Sequence, residues 1–277
     1  MNIGMRNYYI NKYGLSDGAC RMAEHGYTHL DFQIVNTDTE YYSMSEGELD
    51  VEIRQMRAIL EQNGITVHQI HGPWRAPRDS TDEDRRERFE KMSRALLIAK
   101  LLGAEYMAIH PLMPFGGDSP DNPDELYKIN KRFFTDLSSV ASELGVVVCL
   151  ENMPFRNFPL SPSKRIYELI KDVGMSSLKM CLDVGHAHIL GESLWDTVHL
   201  IADELRILHV HDNDGENDIH LPPYDGNADI KSFGEALHDI GFNGVLMLET
   251  SPRYLVEEDA LAAELRLAKI TREIAGL

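Results

Sequence analysis

The sequence has few cysteines, no long apolar run and a shortage of positive charge. Three cysteines among 277 residues are too few, and odd in number, for a disulfide framework. Cys149 and Cys181 fall inside predicted strands, where we expect small buried thiols. No apolar stretch approaches the roughly 20 residues that a membrane span needs. Residues 1–6 lack the basic and then apolar segments of a secretory signal. These absences predict a cytoplasmic protein without a membrane partner.

Acidic residues outnumber basic ones by 45 to 27, which gives a net charge of −18. Proteins that bind phosphate backbones usually carry a basic stripe. The densest positive segment here, residues 85–88, is interleaved with acids and predicts a solvated helix face. We therefore expect no nucleic-acid partner, while a homo-oligomer stays open.

Six short apolar runs each end in a residue that can bind a divalent metal. The residues that end them are His71, His110, Glu151, Asp183, His209 and Glu249. Each run has the length of a buried strand in a parallel sheet. Strands that all end in such residues direct them toward one place, which is typical of a metal enzyme built on a barrel.

Strands and helices alternate along the whole chain, without a linker or a change in composition. Two further strands, near residues 3–5 and 29–33, bring the predicted count to eight. Eight predicted helices lie near residues 15–25, 46–62, 82–102 and 124–144, after Ser163, and near residues 193–203, 230–240 and 257–275. This alternation indicates parallel βαβ units. The sequence predicts one α/β domain over residues 1–277, a single (β/α)8 TIM barrel.

Glu151, Asp183, His209 and Glu249 form the predicted metal quartet. Four such groups at strand ends, without matching basic residues, would be costly to bury unless a cation lay between them. Carboxylates with one imidazole suit Mn²⁺ or Zn²⁺ first, and also Co²⁺ or Mg²⁺.

Further polar residues fall on the same rim of the predicted barrel. They are His71, His110, His186, Asp218 and His220. These residues either hold additional metal ions or bind substrate hydroxyls, and the sequence does not decide between the two.

Other rim residues could contact a substrate. Trp74 and Phe115 could pack against a sugar ring, and Arg75, Arg156 or Arg253 could bind an anionic group. His211 shares a strand face with His209 and is a predicted substrate contact.

Five segments together resemble the xylose isomerase-like barrels. They are His71-Gly72-Pro73-Trp74, Ile109-His110-Pro111, residues 150–154, residues 181–186 and residues 209–213. That superfamily includes sugar phosphate isomerases and epimerases, inosose dehydratase, hydroxypyruvate isomerase and endonuclease IV. By this resemblance Glu151 and Glu249 would also transfer protons, and His186 would bind substrate.

The same resemblance offers a counterpart for each ligand of the three-metal endonucleases. Those counterparts are His71, His110, Glu151, Asp183, His186, His209, Asp218, His220 and Glu249.

Two departures from the family weigh against particular members. The ketose 3-epimerases have an arginine shortly after the strand-7 histidine, and residues 212–217 contain none. The loop after strand 2 contains Asp38 and Glu40, and the loop after strand 7 contains Asp212, Asp214 and Glu216. We expect these charges to oppose DNA binding.

The leading interpretation is proton transfer beside a carbonyl of a small carbohydrate. A metal ion would stabilise the enediolate that forms when one of Glu151 and Glu249 removes a proton. The other glutamate would return it, which isomerises or epimerises the substrate. Dehydration through the same enediolate is the nearest alternative, and hydrolysis of abasic DNA is the second. A non-catalytic sugar-binding barrel is the third.

Overall fold

A computed structural model describes residues 1–74, 79–116, 122–253 and 256–277. The strands are β1 (Asn2–Arg6), β2 (His29–Gln33), β3 (Thr66–His71), β4 (Tyr106–Ile109), β5 (Val147–Glu151), β6 (Leu178–Asp183), β7 (Leu205–His209) and β8 (Val245–Leu248). The α-helices are α1 (Tyr8–Tyr13), α2 (Leu15–Glu24), α3 (Glu46–Gln62), α4 (Asp82–Leu102), α5 (Pro123–Leu144), α6 (Ser163–Val173), α7 (Val184–Ile189), α8 (Leu194–Ile201), α9 (Ile230–Asp239) and α10 (Ala260–Ala275). Two 3₁₀ turns cover Glu40–Tyr42 and Glu257–Asp259.

The eight strands are parallel and follow one another around a barrel. Their order in the sheet is β7-β6-β5-β4-β3-β2-β1-β8. A parallel bridge between Val210 and Leu248 joins the two ends of this sheet, just beyond β7. The chain therefore forms the predicted (β/α)8 barrel, whose strands all end on one rim.

Local signals explain why most helix boundaries agree with those predicted. Reciprocal capping boxes begin α3 at Ser45 and Glu48, and α4 at Thr81 and Asp84. Gly103 ends α4 in the left-handed conformation, as Gly145 ends α5. Hydrophobic faces of these helices then pack on strands that are almost wholly buried.

Two short helices in the described ranges, α1 and α7, were not predicted. Each has six residues, too few for a helical repeat of apolar positions to be visible. The helix α7 begins directly at the end of β6, because the Asp183 side chain accepts a hydrogen bond from the backbone of His186. Within the same described ranges, no helix is both long and apolar enough to cross a membrane.

The expectation of a solvated basic face over residues 85–88 is wrong for Arg88. Arg85 and Arg86 pair with exposed acids on the same helix, as expected. Arg88 is buried instead, and its Nη1 lies 3.3 Å from Oδ2 of the buried Asp79. Helical rotation places every third or fourth residue toward the barrel, so a charged run need not share one face.

Candidate metal and active site

Glu151, His209 and Glu249 meet inside the barrel mouth. Nδ1 of His209 lies 3.0 Å from Oε1 of Glu151 and 3.4 Å from Oε2 of Glu249. All three side chains are buried. Gln33 on β2 donates from Nε2 to the other oxygen of Glu249 at 2.9 Å. The two predicted proton-transfer glutamates thus face the same imidazole nitrogen.

Asp183 lies with His186 and His211 on the neighbouring part of the rim. Nε2 of His211 is 3.1 Å from the Asp183 carboxylate, and Nδ1 of His186 is 3.7 Å from it. Gly185 makes this packing possible, because a Cβ there would stand 2.0 Å from the His211 ring. The segment Asp183-Val184-Gly185-His186 therefore forms the first turn of α7, and Gly185 leaves room beside that turn for the imidazole of His211.

His71 and His110 approach Glu151 from β3 and the end of β4. Their Nε2 atoms lie 3.5 Å and 3.3 Å from Oε2 of Glu151. The Trp74 ring stands edge-on to His110, with 4.1 Å between centroids. Trp74 therefore borders the site, where it can form a wall of a substrate cavity.

Asp218 and His220 reach the site from the loop after β7. Nε2 of His220 lies 3.3 Å from Oδ1 of Asp218, and Nε2 of His186 lies 3.3 Å from Oδ2. The rings of His220 and His211 stack at 4.0 Å. His220 has a left-handed backbone (φ 46°) and its Nδ1 is 2.7 Å from the Glu249 carbonyl oxygen. All five additional rim residues therefore belong to one continuous cluster with the predicted quartet.

The quartet itself is spread over two adjoining groups. Glu151, His209 and Glu249 form one group, while Asp183 contacts His211 and His186. His186 connects the groups, because its Nδ1 is 3.7 Å from both Glu151 and Asp183. His211, predicted as a substrate contact, is thus placed as well for a metal ion as His209 is.

Glu151 and Glu249 keep their charge despite burial. Burial opposes ionisation of Glu249, yet the facing His209 lowers its pKa to about 2. Burial likewise opposes the charged form of His186, but Asp183 and Asp218 raise its pKa to about 10. The pKa of His220 rises to about 9 against burial because of Asp218 and Glu249. The cluster therefore creates a negative field that favours bound positive charge.

The donor set fits a divalent cation. Oε2 of Glu151 is buried and accepts no hydrogen bond from any described residue, although two imidazole nitrogens are close to it. Nitrogen and oxygen atoms within 4.8 Å of one another form several sets that could hold an ion. These sets include His71 with His110 and Glu151, His71 with His209 and Glu249, Asp183 with His186 and His211, and His211 with Asp218 and His220. Mixed imidazole and carboxylate sets of this kind suit Zn²⁺ or Mn²⁺.

The arginines predicted to contact substrate have other partners. Arg253 donates to the Ile219 carbonyl at 2.7 Å, beside His220. Arg156 donates to the Gly215 carbonyl at 2.8 Å. Both connect loops of the rim, and Arg75 lies outside the described residues. Phe115 is half exposed in the loop after β4.

The loop after β7 is organised by an acid that the charge argument treated as exposed. Asp212 is fully buried, and its carboxylate accepts hydrogen bonds from the backbone of Asn213, Tyr224, Gly226 and Ala228. Asp214 and Glu216 remain exposed. The repulsion expected against DNA at this loop therefore comes from two acids rather than three.

Sequence reasoning missed Asp31 and Gln33, which reach the site from β2. Asp31 is fully buried, and its Oδ2 lies 3.3 Å from Nε2 of His209. The strand reads His29-Leu30-Asp31-Phe32-Gln33, with polar residues at every second position. That alternation is unusual for a strand covered on both faces, and it could have indicated a polar inner face.

Comparisons with known proteins agree with this architecture. The model of the family described as xylose isomerase-like TIM barrel matches residues 21–270. A D-psicose 3-epimerase of Ruminiclostridium cellulolyticum is 26% identical over 250 residues, which cover 87% of this chain and 77% of that protein.

Solved structures show the same fold at lower identity. A D-psicose 3-epimerase crystallised in the presence of D-fructose superposes with a TM-score of 0.79 at 19% identity, over 100% of both chains. The IOLI protein, solved with a zinc atom, has a TM-score of 0.75 at 18% identity, over 99% of this chain and 96% of its own. With a family model that matches most of its length, the chain belongs to the xylose isomerase-like TIM barrel family.

Proposed function

We propose that this protein is a divalent-metal-dependent isomerase or epimerase of a small carbohydrate. The observation that carries the proposal is the approach of Glu151 and Glu249 to the same nitrogen of His209. Two ionised carboxylates then flank one point of the barrel mouth, as an acid–base pair must. The epimerase relative supports this reaction class. So does an inosose isomerase of Bacillus subtilis, 25% identical over 171 residues that cover 58% of this chain and 60% of that protein.

Glu151, Asp183, His209 and Glu249 are the proposed metal ligands, with His211 as a further donor beside Asp183. When bound, Mn²⁺ or Zn²⁺, or else Co²⁺ or Mg²⁺, supplies positive charge against the negative charge that develops on substrate oxygens. The zinc atom of the structurally similar IOLI protein supports such an ion.

Proton transfer then requires one glutamate on each side of the substrate carbon. The low pKa of Glu249, which His209 maintains against burial, keeps this carboxylate ionised, which is the form that can accept a proton. In the proposed reaction one glutamate removes the proton next to the carbonyl to give an enediolate. The other returns a proton to the neighbouring carbon or to the opposite face.

The surrounding residues would orient the substrate. His186, His211 and Arg253 would supply hydrogen-bond donors, and Trp74, beside His110, would supply an apolar wall. The small-molecule substrate would enter from the open rim. Neither a nucleic-acid partner nor a membrane partner belongs to this proposal.

Solvent-proton exchange tests the reaction directly. Ketoses, their phosphates and inososes are incubated with the metal-loaded protein in D₂O and followed by NMR. We expect deuterium at a carbon next to the carbonyl of at least one compound. Failure to exchange with every compound under Mn²⁺, Co²⁺, Mg²⁺ and Zn²⁺ would refute proton transfer.

Dehydration at the same site is the nearest competing function. A dehydratase begins with the same proton abstraction and then loses a β-hydroxyl group. The same NMR experiment separates the reactions, because a dehydrated product loses one carbon-bound oxygen and an isomer does not. Accumulation of that product would assign the protein as a lyase.

A three-metal abasic-site endonuclease is a second candidate. The observation favouring it is the set of His71, His110 and Glu151 beside the separate set of His211, Asp218 and His220. The net charge of −18 opposes it. We expect no incision of an abasic duplex at moderate salt, and efficient incision would favour the endonuclease.

A further inference from the structure

Arg6, at the end of β1, is a cation at the barrel mouth that no described residue pairs with. Arg6 is the register partner of Asp31, whose side chain points into the barrel. Partners in a pleated sheet share a face, so Arg6 also projects inward, at the rim. No ion pair or hydrogen bond joins its guanidinium to another residue of the described ranges. In a chain with 45 acidic and 27 basic residues, an unpaired arginine at this position is unexpected.

Arg6 lines a cavity of about 550 Å³ that adjoins the proposed proton-transfer site. Gln33 forms a wall of this cavity and donates to Glu249 at 2.9 Å, so the two spaces share one side chain. Ser251, two residues after Glu249, lines it as well. A substrate held between the two glutamates can therefore extend one end toward Arg6.

The cavity contains a second positive charge and neutral donors. Lys12 lines it, with Nζ 3.2 Å from Glu257 and 3.6 Å from Glu264. Lys12 also donates to the Tyr8 hydroxyl at 3.3 Å, so its ammonium is already bound by described residues. Arg6 is the cation of this cavity that forms no ion pair with a described acid. The Asn11 amide and the Ser251 hydroxyl add hydrogen-bonding groups. A guanidinium with such groups around one space is the recognition chemistry of an oxyanion.

We propose that Arg6 is the centre of an anion subsite, so that the substrate carries a phosphate monoester or a carboxylate at the end remote from its reacting carbon. The statement about the substrate rests on the proposed function, because it assumes that the reaction takes place between Glu151 and Glu249. The subsite itself is defined by the cavity and by Arg6. It distinguishes anionic substrates from free sugars, because a neutral hydroxyl leaves the guanidinium without a counter-charge.

The first test measures binding without turnover. Inorganic phosphate and acetate are titrated into the metal-loaded protein by calorimetry, with Arg6→Gln and the exposed Arg132→Gln for comparison. We expect phosphate, acetate or both to bind wild type and Arg132→Gln equally, and to bind Arg6→Gln at least about ten-fold more weakly. Equal binding to wild type and Arg6→Gln, as expected if the anion contacts only metal ions, would overturn the proposal. So would the absence of binding to wild type.

The second test separates the subsite from the reaction. Ketohexoses, their 6-phosphates and ketohexuronates are compared by deuterium exchange in D₂O. We expect Arg6→Gln to raise KM at least about ten-fold for the phosphate or the uronate, with recovery in Arg6→Lys and little change for the neutral ketose. An equal loss of kcat with all three compounds would make Arg6 a structural residue and overturn the subsite. If wild type exchanges no proton in any compound, the proposed function fails, while the calorimetry still decides the subsite.

Discussion

His209 and Asp31 form a buried pair across the barrel, with Nε2 of the imidazole 3.3 Å from Oδ2 of the carboxylate. Both side chains are fully buried, and the other nitrogen of His209 faces Glu151 and Glu249. Burial opposes a charged imidazole, but the neighbouring Cys181 and these carboxylates raise the pKa of His209 well above its usual value. Asp31 thereby fixes the ring that both proposed proton-transfer glutamates contact.

Asp31→Asn should weaken metal binding or turnover by roughly 10- to 100-fold, the usual effect of removing a residue that orients a ligand. Asparagine preserves the size of the side chain but not the charge that fixes His209. Metal affinity, kcat and the thermal midpoint are measured together, with the exposed Asp38→Asn as a matched control. Unchanged affinity and turnover in a folded Asp31→Asn protein would contradict the role of the pair.

Asp183→Ala should lower the metal content of the purified protein. The Asp183 carboxylate lies 3.1 Å from His211 and also caps α7 through the backbone of His186. Metal analysis of the variant beside wild type measures the loss. The exposed Asp196→Ala should retain the wild-type content, and equal metal in all three proteins would exclude Asp183 as a ligand.

His211→Asn should lose metal if His211 is a ligand, whereas His209→Asn should lose turnover in either case. The two histidines lie two residues apart, and each contacts a carboxylate of the site. Metal analysis together with kcat distinguishes the predicted quartet from a set in which His211 replaces His209. Full metal content in His211→Asn would leave that residue as a substrate contact.

Glu151→Gln and Glu249→Gln should each reduce turnover on the order of 10²-fold or more, the scale of general-base loss. Glutamine retains an oxygen that can bind a cation but cannot accept the proton. Deuterium exchange with the reactive substrate provides the measurement, and the exposed Glu216→Gln serves as the control. Exchange at the wild-type rate in both variants would show that other groups transfer the proton.

His68 should make the protein less stable in acid. Burial, with help from the neighbouring His29, lowers the pKa of His68 to about 4 from 6.5. Below pH 6.5 the unfolded chain binds a proton that the folded protein excludes until pH 4, so stability falls as the pH falls through that window.

His68→Gln should remove the loss of unfolding free energy that His68 causes in acid. We put this loss at about 2 kcal/mol between pH 6.5 and pH 4.5. Urea unfolding at the two pH values gives the difference for wild type and variant. The surface substitution His238→Gln should keep the wild-type dependence. An equally steep loss in His68→Gln would assign the acid sensitivity to other groups.

The sequence alone determined the fold and the rim on which the site lies. Strand-length apolar runs that end in His71, Glu151, Asp183 and Glu249 are typical of buried parallel strands. Eight such strands that alternate with helices predict a barrel, whose geometry collects strand ends at one mouth. Helix boundaries followed as well, since capping boxes and glycines act within one turn of the chain. The helices α1 and α7 were missed because six residues are too few to show a helical repeat of apolar positions.

The tertiary structure decided which side chains touch. His209 and His211 project from the same face of one strand region, and only the stagger of the barrel places one beside Glu151 and the other beside Asp183. Asp31 and Arg6 acquire their positions only when β1 and β2 close against the far side of the sheet. Contacts across a barrel depend on how the sheet closes and how its strands are staggered. These are properties of all eight strands together, so the sequence of a single strand does not reveal them.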